Sequence, residues 1–116
     1  MEITLTGNPY STNNIYFSGR IPGMRILKKE PKKQKESYKQ QAYDQWKSNM
    51  LDCKLELNIK LYFGDKRKRD WDNYHKLAMD SLTGIVWVDD SQIQKSLVEK
   101  FYDKENPRIE IDIKEL

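Results

Sequence analysis

Residues 55–63 constrain the fold more than any other stretch of the chain. Leu55, Leu57, Ile59, Leu61 and Phe63 alternate with Glu56, Asn58, Lys60 and Tyr62. Successive side chains of a strand point to opposite faces, so this period of two predicts a half-buried β-strand. Such a strand needs neighbours. Ile109, Ile111 and Ile113 alternate with Glu110, Asp112 and Lys114, and Ile3, Thr4 and Leu5 form a shorter run closed by Gly7-Asn8-Pro9. Both read as strands. A fourth, less regular one is expected from about Ile93 to Tyr102, after the turn residues Asp89-Asp90-Ser91.

Two helices are expected between the strands. From Gln34 to Leu51, Tyr38, Ala42, Trp46 and Met50 recur every four residues, with Tyr43 beside them. That spacing lines one face of a helix. A second helix is predicted from Trp71 to Leu82, with Asp70 as its candidate N-cap and Gly84 as its stop. Residues 7–33 are broken by Gly7, Pro9, Gly19, Pro22, Gly23 and Pro31. They read as a long loop with a short hairpin around Ser18-Gly19-Arg20, and long loops in small domains are commonly functional. The order β-α-β-α-β-β predicts one α+β domain over residues 1–116, a mostly antiparallel four-stranded sheet with two helices on one face.

Composition narrows the class. With 116 residues, 37% hydrophobic and 34% charged, the chain has material for one modest core. No stretch approaches the ~18 apolar residues of a membrane span. The start, Met1 to Tyr10, lacks the basic and apolar segments of a secretory signal, so a cytoplasmic protein without a membrane partner is expected. The one cysteine, Cys53, excludes an internal disulfide and reads as a packing residue, and no Cys/His cluster suits zinc. A Ser-His-Asp triad would rest on the one histidine, His75, which reads as structural.

The net charge of +3 conceals a division. Residues 1–69 hold 15 Lys and Arg against 7 Asp and Glu, a balance of +8, while residues 70–116 hold 6 against 11, a balance of −5. A basic half suits a polyanion; an acidic half suits one only if its acids bind something positive. The basic residues gather in the early loop, which includes Arg20, Arg25, Lys28, Lys29, Lys32 and Lys33, and in the run Lys66-Arg67-Lys68-Arg69. Both are candidate phosphate contacts.

The acids follow that run directly. On a helix begun at Trp71, residues Trp71, Tyr74, Leu77, Ala78 and Leu82 share the face that packs on the sheet, and Asp72, Lys76 and Asp80 form a stripe opposite. Asn73 falls on the exposed side near Lys76 as a supporting polar group. Asp70, Asp72 and the pair Asp89-Asp90 are the oxygen donors that a hard divalent cation such as magnesium takes, between protein carboxylates and substrate phosphate. Lys76 is placed to stabilise charge growing on phosphate oxygens. Each residue also has a plainer reading: Asp70 as a cap, Asp72-Lys76 as a surface i,i+4 pair, and Asp89-Asp90 as turn formers.

The run Arg69-Asp70-x-Asp72-Asn73-x-x-Lys76-x-x-x-Asp80, followed by Asp89-Asp90-Ser91-Gln92, resembles the core motif of RusA-type Holliday-junction resolvases. The early segment Ser11-Thr12-Asn13-Asn14-x-Tyr16 is similar to that family's N-terminal segment, and the length agrees. The resemblance implies a Mg²⁺-dependent endonuclease, with Mn²⁺ as a substitute, that acts on branched DNA and four-way junctions as a homodimer. It implies Asp70, Asp72 and Asp90 as metal-binding catalytic acids, with Asp89 beside the third position, and Lys76 as the catalytic lysine. DNA contacts are expected at Asn14, Arg25, Lys28, Lys29, Lys66, Arg67, Lys68 and Arg69. The alternatives are a non-catalytic junction-binding protein and a metal-dependent nuclease acting on other branched DNA.

Overall fold

The computed structural model describes residues 1–9, 16–18, 25–27, 29–66 and 74–116, with side chains outside the description at 16–18, 25–27 and 29–31. Strand β1 is Glu2–Thr6, β2 Tyr16–Ser18 and β3 Arg25–Leu27; helix α1 is Lys29–Gln45 and strand β4 Leu55–Phe63. Helix α2 is Lys76–Leu82, a single 3₁₀ turn covers Asp90–Gln92, and strands β5 and β6 are Ile93–Tyr102 and Arg108–Glu115.

The four-stranded sheet has the order β1-β6-β4-β5. β6 runs antiparallel to both β1 and β4, whereas β5 runs parallel to β4. The sheet is therefore mixed, with two antiparallel pairings and one parallel. The parallel pairing exists because the chain leaves the Phe63 end of β4 and returns through α2 to the Leu55 end, where Ile93 lies opposite Leu55. β2 and β3 pair separately, with Tyr16 opposite Leu27 and Ser18 opposite Arg25. This is the expected hairpin, with its connection longer than the Ser18-Gly19-Arg20 tip.

The alternation in β4 does what its pattern requires. Leu55, Leu57, Ile59, Leu61 and Phe63 are buried with Ile109, Ile111 and Ile113 of β6 and Ile3 and Leu5 of β1. The helices cover this same face, through Tyr38 and Ala42 of α1 and Leu77, Ala78 and Leu82 of α2. Trp87, fully buried between α2 and β5, completes the core.

Both helices depart from their expected limits. α1 starts at Lys29 rather than Gln34 and ends at Gln45 rather than Leu51. At its end the Trp46 indole donates to Asn49 O at 3.2 Å, and Leu51 N bonds Val86 O at 2.8 Å, so the chain turns away to dock on the segment before β5. α2 starts at Lys76 with His75 at the N-cap, not at Trp71 with Asp70. Tyr74 lies in a bend and packs edge-on against Phe63, ring centroids 5.1 Å apart. That long-range contact holds the chain at the sheet before the helix begins. Its far end is as expected: Gly84 takes φ +88°, and its N–H bonds Trp87 O at 2.7 Å.

Candidate active site

Asp90 occupies the corner between α2 and β5. The Thr83 hydroxyl, at the C-cap of α2, lies 2.6 Å from Asp90 Oδ1 and 3.0 Å from Met79 O. With one proton to give, it donates along the shorter, charge-assisted contact. The buried Trp87 indole N–H is shared between Thr83 Oγ1 at 3.0 Å and Asp90 Oδ1 at 3.1 Å. One carboxylate oxygen is thus held by two donors. Among the described residues Oδ2 takes no hydrogen bond, which leaves it as the oxygen available to a hard cation.

Asp89 is employed differently. Its carboxylate accepts from Ser91 N at 3.1 Å as N-cap of the 3₁₀ turn, and Gln92 returns the contact by accepting from Asp89 N at 2.8 Å. This is a capping box, with the Gln92 amide also accepting from Val88 N and donating to Leu51 O and Cys53 O. The hydroxyl and the backbone N–H of Ser91 hold the Asp89 carboxyl below its ordinary value. The two adjacent acids therefore divide, Asp89 toward the backbone and Asp90 toward Thr83 and Trp87.

Lys76 opens α2, and its Nζ lies 3.3 Å from Asp80 Oδ1 across one helical turn. Of the expected stripe Asp72-Lys76-Asp80, the described part is this second pair. Thr83 closes the same helix, so Lys76 and the group that holds Asp90 stand at opposite ends of it, about 10 Å apart along the axis. Lys66 stands just beyond the end of β4, with its ammonium 4.9 Å from the centre of the Tyr102 ring. Asn14, Lys28, Arg67, Lys68, Arg69, Asp70, Asp72 and Asn73 lie outside the described residues, and Arg25 and Lys29 are described by backbone alone. Among the described residues no three Asp, Glu, His or Cys side chains converge as a metal site.

Thr83, Trp87 and Gln92 were not anticipated. Gln92 was recoverable, since Asp-x-x-Gln before an apolar run is a capping-box pattern. Thr83 carries no local signature, because its partner Asp90 is reached only after the chain reverses at Gly84, and Trp87, three residues before Asp90, reads from the sequence as a core residue alone.

The family model described as "Endodeoxyribonuclease RusA" matches residues 6–114. The chain is 36% identical over 75 residues to the crossover junction endodeoxyribonuclease RusA of Escherichia coli (strain K12), a match covering 60% of this chain and 62% of that protein. It is 35% identical over 75 residues to the protein of the same name from Enterobacteria phage 82, with the same coverage. It is also 45% identical over 49 residues to the uncharacterized protein YqaN of Bacillus subtilis (strain 168), covering 42% of this chain and 34% of that one. The chain thus spans under two thirds of the length of the curated relatives it matches.

Proposed function

Because the chain belongs to the RusA endodeoxyribonuclease family, we propose that it is a Mg²⁺-dependent endodeoxyribonuclease that resolves Holliday junctions by paired, symmetric cleavage of DNA strands. The observation that carries this reading is the Asp90 carboxylate, fixed through Oδ1 by Thr83 and Trp87, with Oδ2 free of hydrogen bonds among the described residues, at a motif position where the resemblance places a metal-binding acid. An all-oxygen donor set of Asp70, Asp72 and Asp90 suits Mg²⁺, with Mn²⁺ able to replace it.

Bound there, the ion would supply charge neutralisation and water activation for attack on the phosphodiester. The chain supplies the rest. Asp70, Asp72 and Asp90 hold the ion, and Thr83 and Trp87 keep Asp90 in one orientation. Lys76 sets a positive charge against the phosphate oxygens as the transition state gains negative charge. Asn73 supports that lysine. Lys66, Arg67, Lys68 and Arg69, with Asn14, Arg25, Lys28 and Lys29 of the early loop, grip the backbone of branched DNA by phosphate contacts. Two copies related by a two-fold axis match the approximate two-fold symmetry of a four-way junction, so each nicks one of two opposing strands.

The test is cleavage of an end-labelled synthetic four-way junction, with linear duplex and flap controls, in Mg²⁺ and in EDTA. Symmetric nicks confined to the junction and abolished by EDTA are expected. Tight binding without a cut would identify a junction-binding protein instead, and equal cutting of flaps would move the substrate to branched DNA in general.

A further inference from the structure

Lys76 and Asp80 are paired in the order, and at the positions, that help a helix least. The Lys76 ammonium lies 3.3 Å from Asp80 Oδ1, one turn further along α2. An i,i+4 pair supports a helix better with the acid first. The helix dipole likewise favours acids in the first turn and bases in the last. Both preferences are reversed in α2. Lys76 opens the helix and Asp80 stands two residues before its last, with no acid in the first turn and no base in the last. Helix stability does not account for a pair set this way round.

The two side chains are held unequally. Lys76 is 63% exposed and Asp80 only 27%. A short, partly buried carboxylate has few places to go, whereas lysine carries its charge on a flexible four-carbon stem. Asp80 is therefore the fixed member and the ammonium the one brought to it. Helical side chains lean toward the N-terminus, so an unpaired lysine at the first position points past the end of the helix. Bonded to Asp80, its charge is drawn back along the axis, over part of the about 10 Å that separates Lys76 from Thr83. Residues 76, 80 and 83 follow the i, i+4, i+7 spacing of one helix face. That face ends at the Thr83 hydroxyl, which donates to Asp90 Oδ1 at 2.6 Å.

We propose that Asp80 is a positioning residue for strand cleavage: its carboxylate holds the Lys76 ammonium on the face of α2 that leads to Asp90, before the phosphate arrives. Of the three donors on that ammonium, Asp80 engages one among the described residues. The other two are left for phosphate oxygens. A charge already in place has less freedom to lose on meeting the transition state than one on a free lysine stem.

This role rests on the assignment of Lys76 to the phosphate under the function proposed above, and the experiment separates the two. Single-turnover cleavage of an end-labelled four-way junction is measured for the full chain, Asp80→Asn, Asp80→Glu, Lys76→Met and the double variant Asp80→Asn/Lys76→Met. Junction affinity, the Mg²⁺ concentration for half-maximal cleavage and the melting temperature are measured beside it. Asp80→Asn is expected to cut about tenfold more slowly, with no weaker junction binding and the same Mg²⁺ requirement. Its melting temperature should be unchanged or slightly higher, because a negative charge leaves the negative end of the helix. Asp80→Glu keeps a carboxylate one turn from Lys76 and should recover most of the rate. On the residual rate of Lys76→Met, Asp80→Asn should have no further effect, since a residue that acts only through another is not additive with it.

A parental rate in Asp80→Asn or in Lys76→Met would overturn the role, as would an undiminished loss on adding Asp80→Asn to Lys76→Met. So would a raised Mg²⁺ requirement in Asp80→Asn, which would make Asp80 a metal ligand. A lowered melting temperature without recovery in Asp80→Glu would make it a structural residue instead. A full chain that cuts no junction in Mg²⁺ fails the nuclease reading and this role with it. A full chain that cuts while Asp80→Asn keeps pace fails this role alone.

Discussion

The Thr83 hydroxyl donates to Asp90 Oδ1 across 2.6 Å while its oxygen accepts from the Trp87 indole at 3.0 Å. A helix end and a core side chain thereby fix the direction of one carboxylate. Replacing Thr83 by Val keeps the shape and removes the donor. The Mg²⁺ concentration needed for half-maximal junction cleavage is expected to rise about 10- to 100-fold. Thr83→Ser should restore it, and a titration of cleavage rate against Mg²⁺ for the three proteins checks both.

The division of labour between the adjacent acids is open to a direct comparison. Asp90→Asn should abolish cleavage, with at least a hundredfold loss in rate. Asp89→Asn should cleave near the normal rate, because Asn is as good an N-cap as Asp. Single-turnover cleavage of the four-way junction distinguishes them, and equal losses would give Asp89 a part in metal binding beside its capping contact.

Arg108 binds two acids, Asp103 at 2.8 Å and Glu110 at 2.9 Å. Its hydrogen bond to Asp103 holds that carboxyl below the ordinary value of 3.8. A depressed folded-state pKa contributes stability above the unfolded value and loses it as pH falls through the folded one. Arg108→Ala is therefore expected to melt a few degrees lower at pH 7, with a difference that narrows below about pH 4. Thermal melts of both proteins from pH 7 to pH 2.5 report it.

The basic run after β4 makes a prediction about salt. Substituting Lys66, Arg67, Lys68 and Arg69 by Gln should weaken junction binding and flatten its salt dependence, by about 0.9 in log–log slope for each phosphate contact removed. Fluorescence anisotropy at several NaCl concentrations measures the slope, and an unchanged value would place the run outside the interface.

What was legible in the chain depended on how locally each feature is determined. The alternation at Leu55–Phe63 and Ile109–Ile113 placed both central strands, because burial on one face imposes its period directly. The start of α2 was not legible. Trp71, Tyr74, Leu77 and Ala78 fit a helical face, but Tyr74 is committed to Phe63 of β4 and the helix waits until Lys76. The parallel pairing of β5 with β4 has no local pattern at all; it follows from where the crossover returns the chain. At the candidate site the acids Asp89 and Asp90 stood out by type, while the residues that give them different neighbours did not. Thr83 meets Asp90 only through the reversal at Gly84.

The pairing of β1 with β6 sets Glu2 opposite Asp112 and Leu5 opposite Ile109. A ribosome releases residues in order, so β1 has no strand to pair with until β6, about a hundred residues later, has emerged. Contacts of such long sequence separation form late and slowly. During synthesis β1 has α1 to rest on, through Gln41 and Gln45 and the shared core of Ile3, Leu5, Tyr38 and Ala42, and the sheet closes as one of the last events of its folding. Stalled or truncated translation products should then be open along the flank of β6 and recognisable to chaperones and proteases as unfinished.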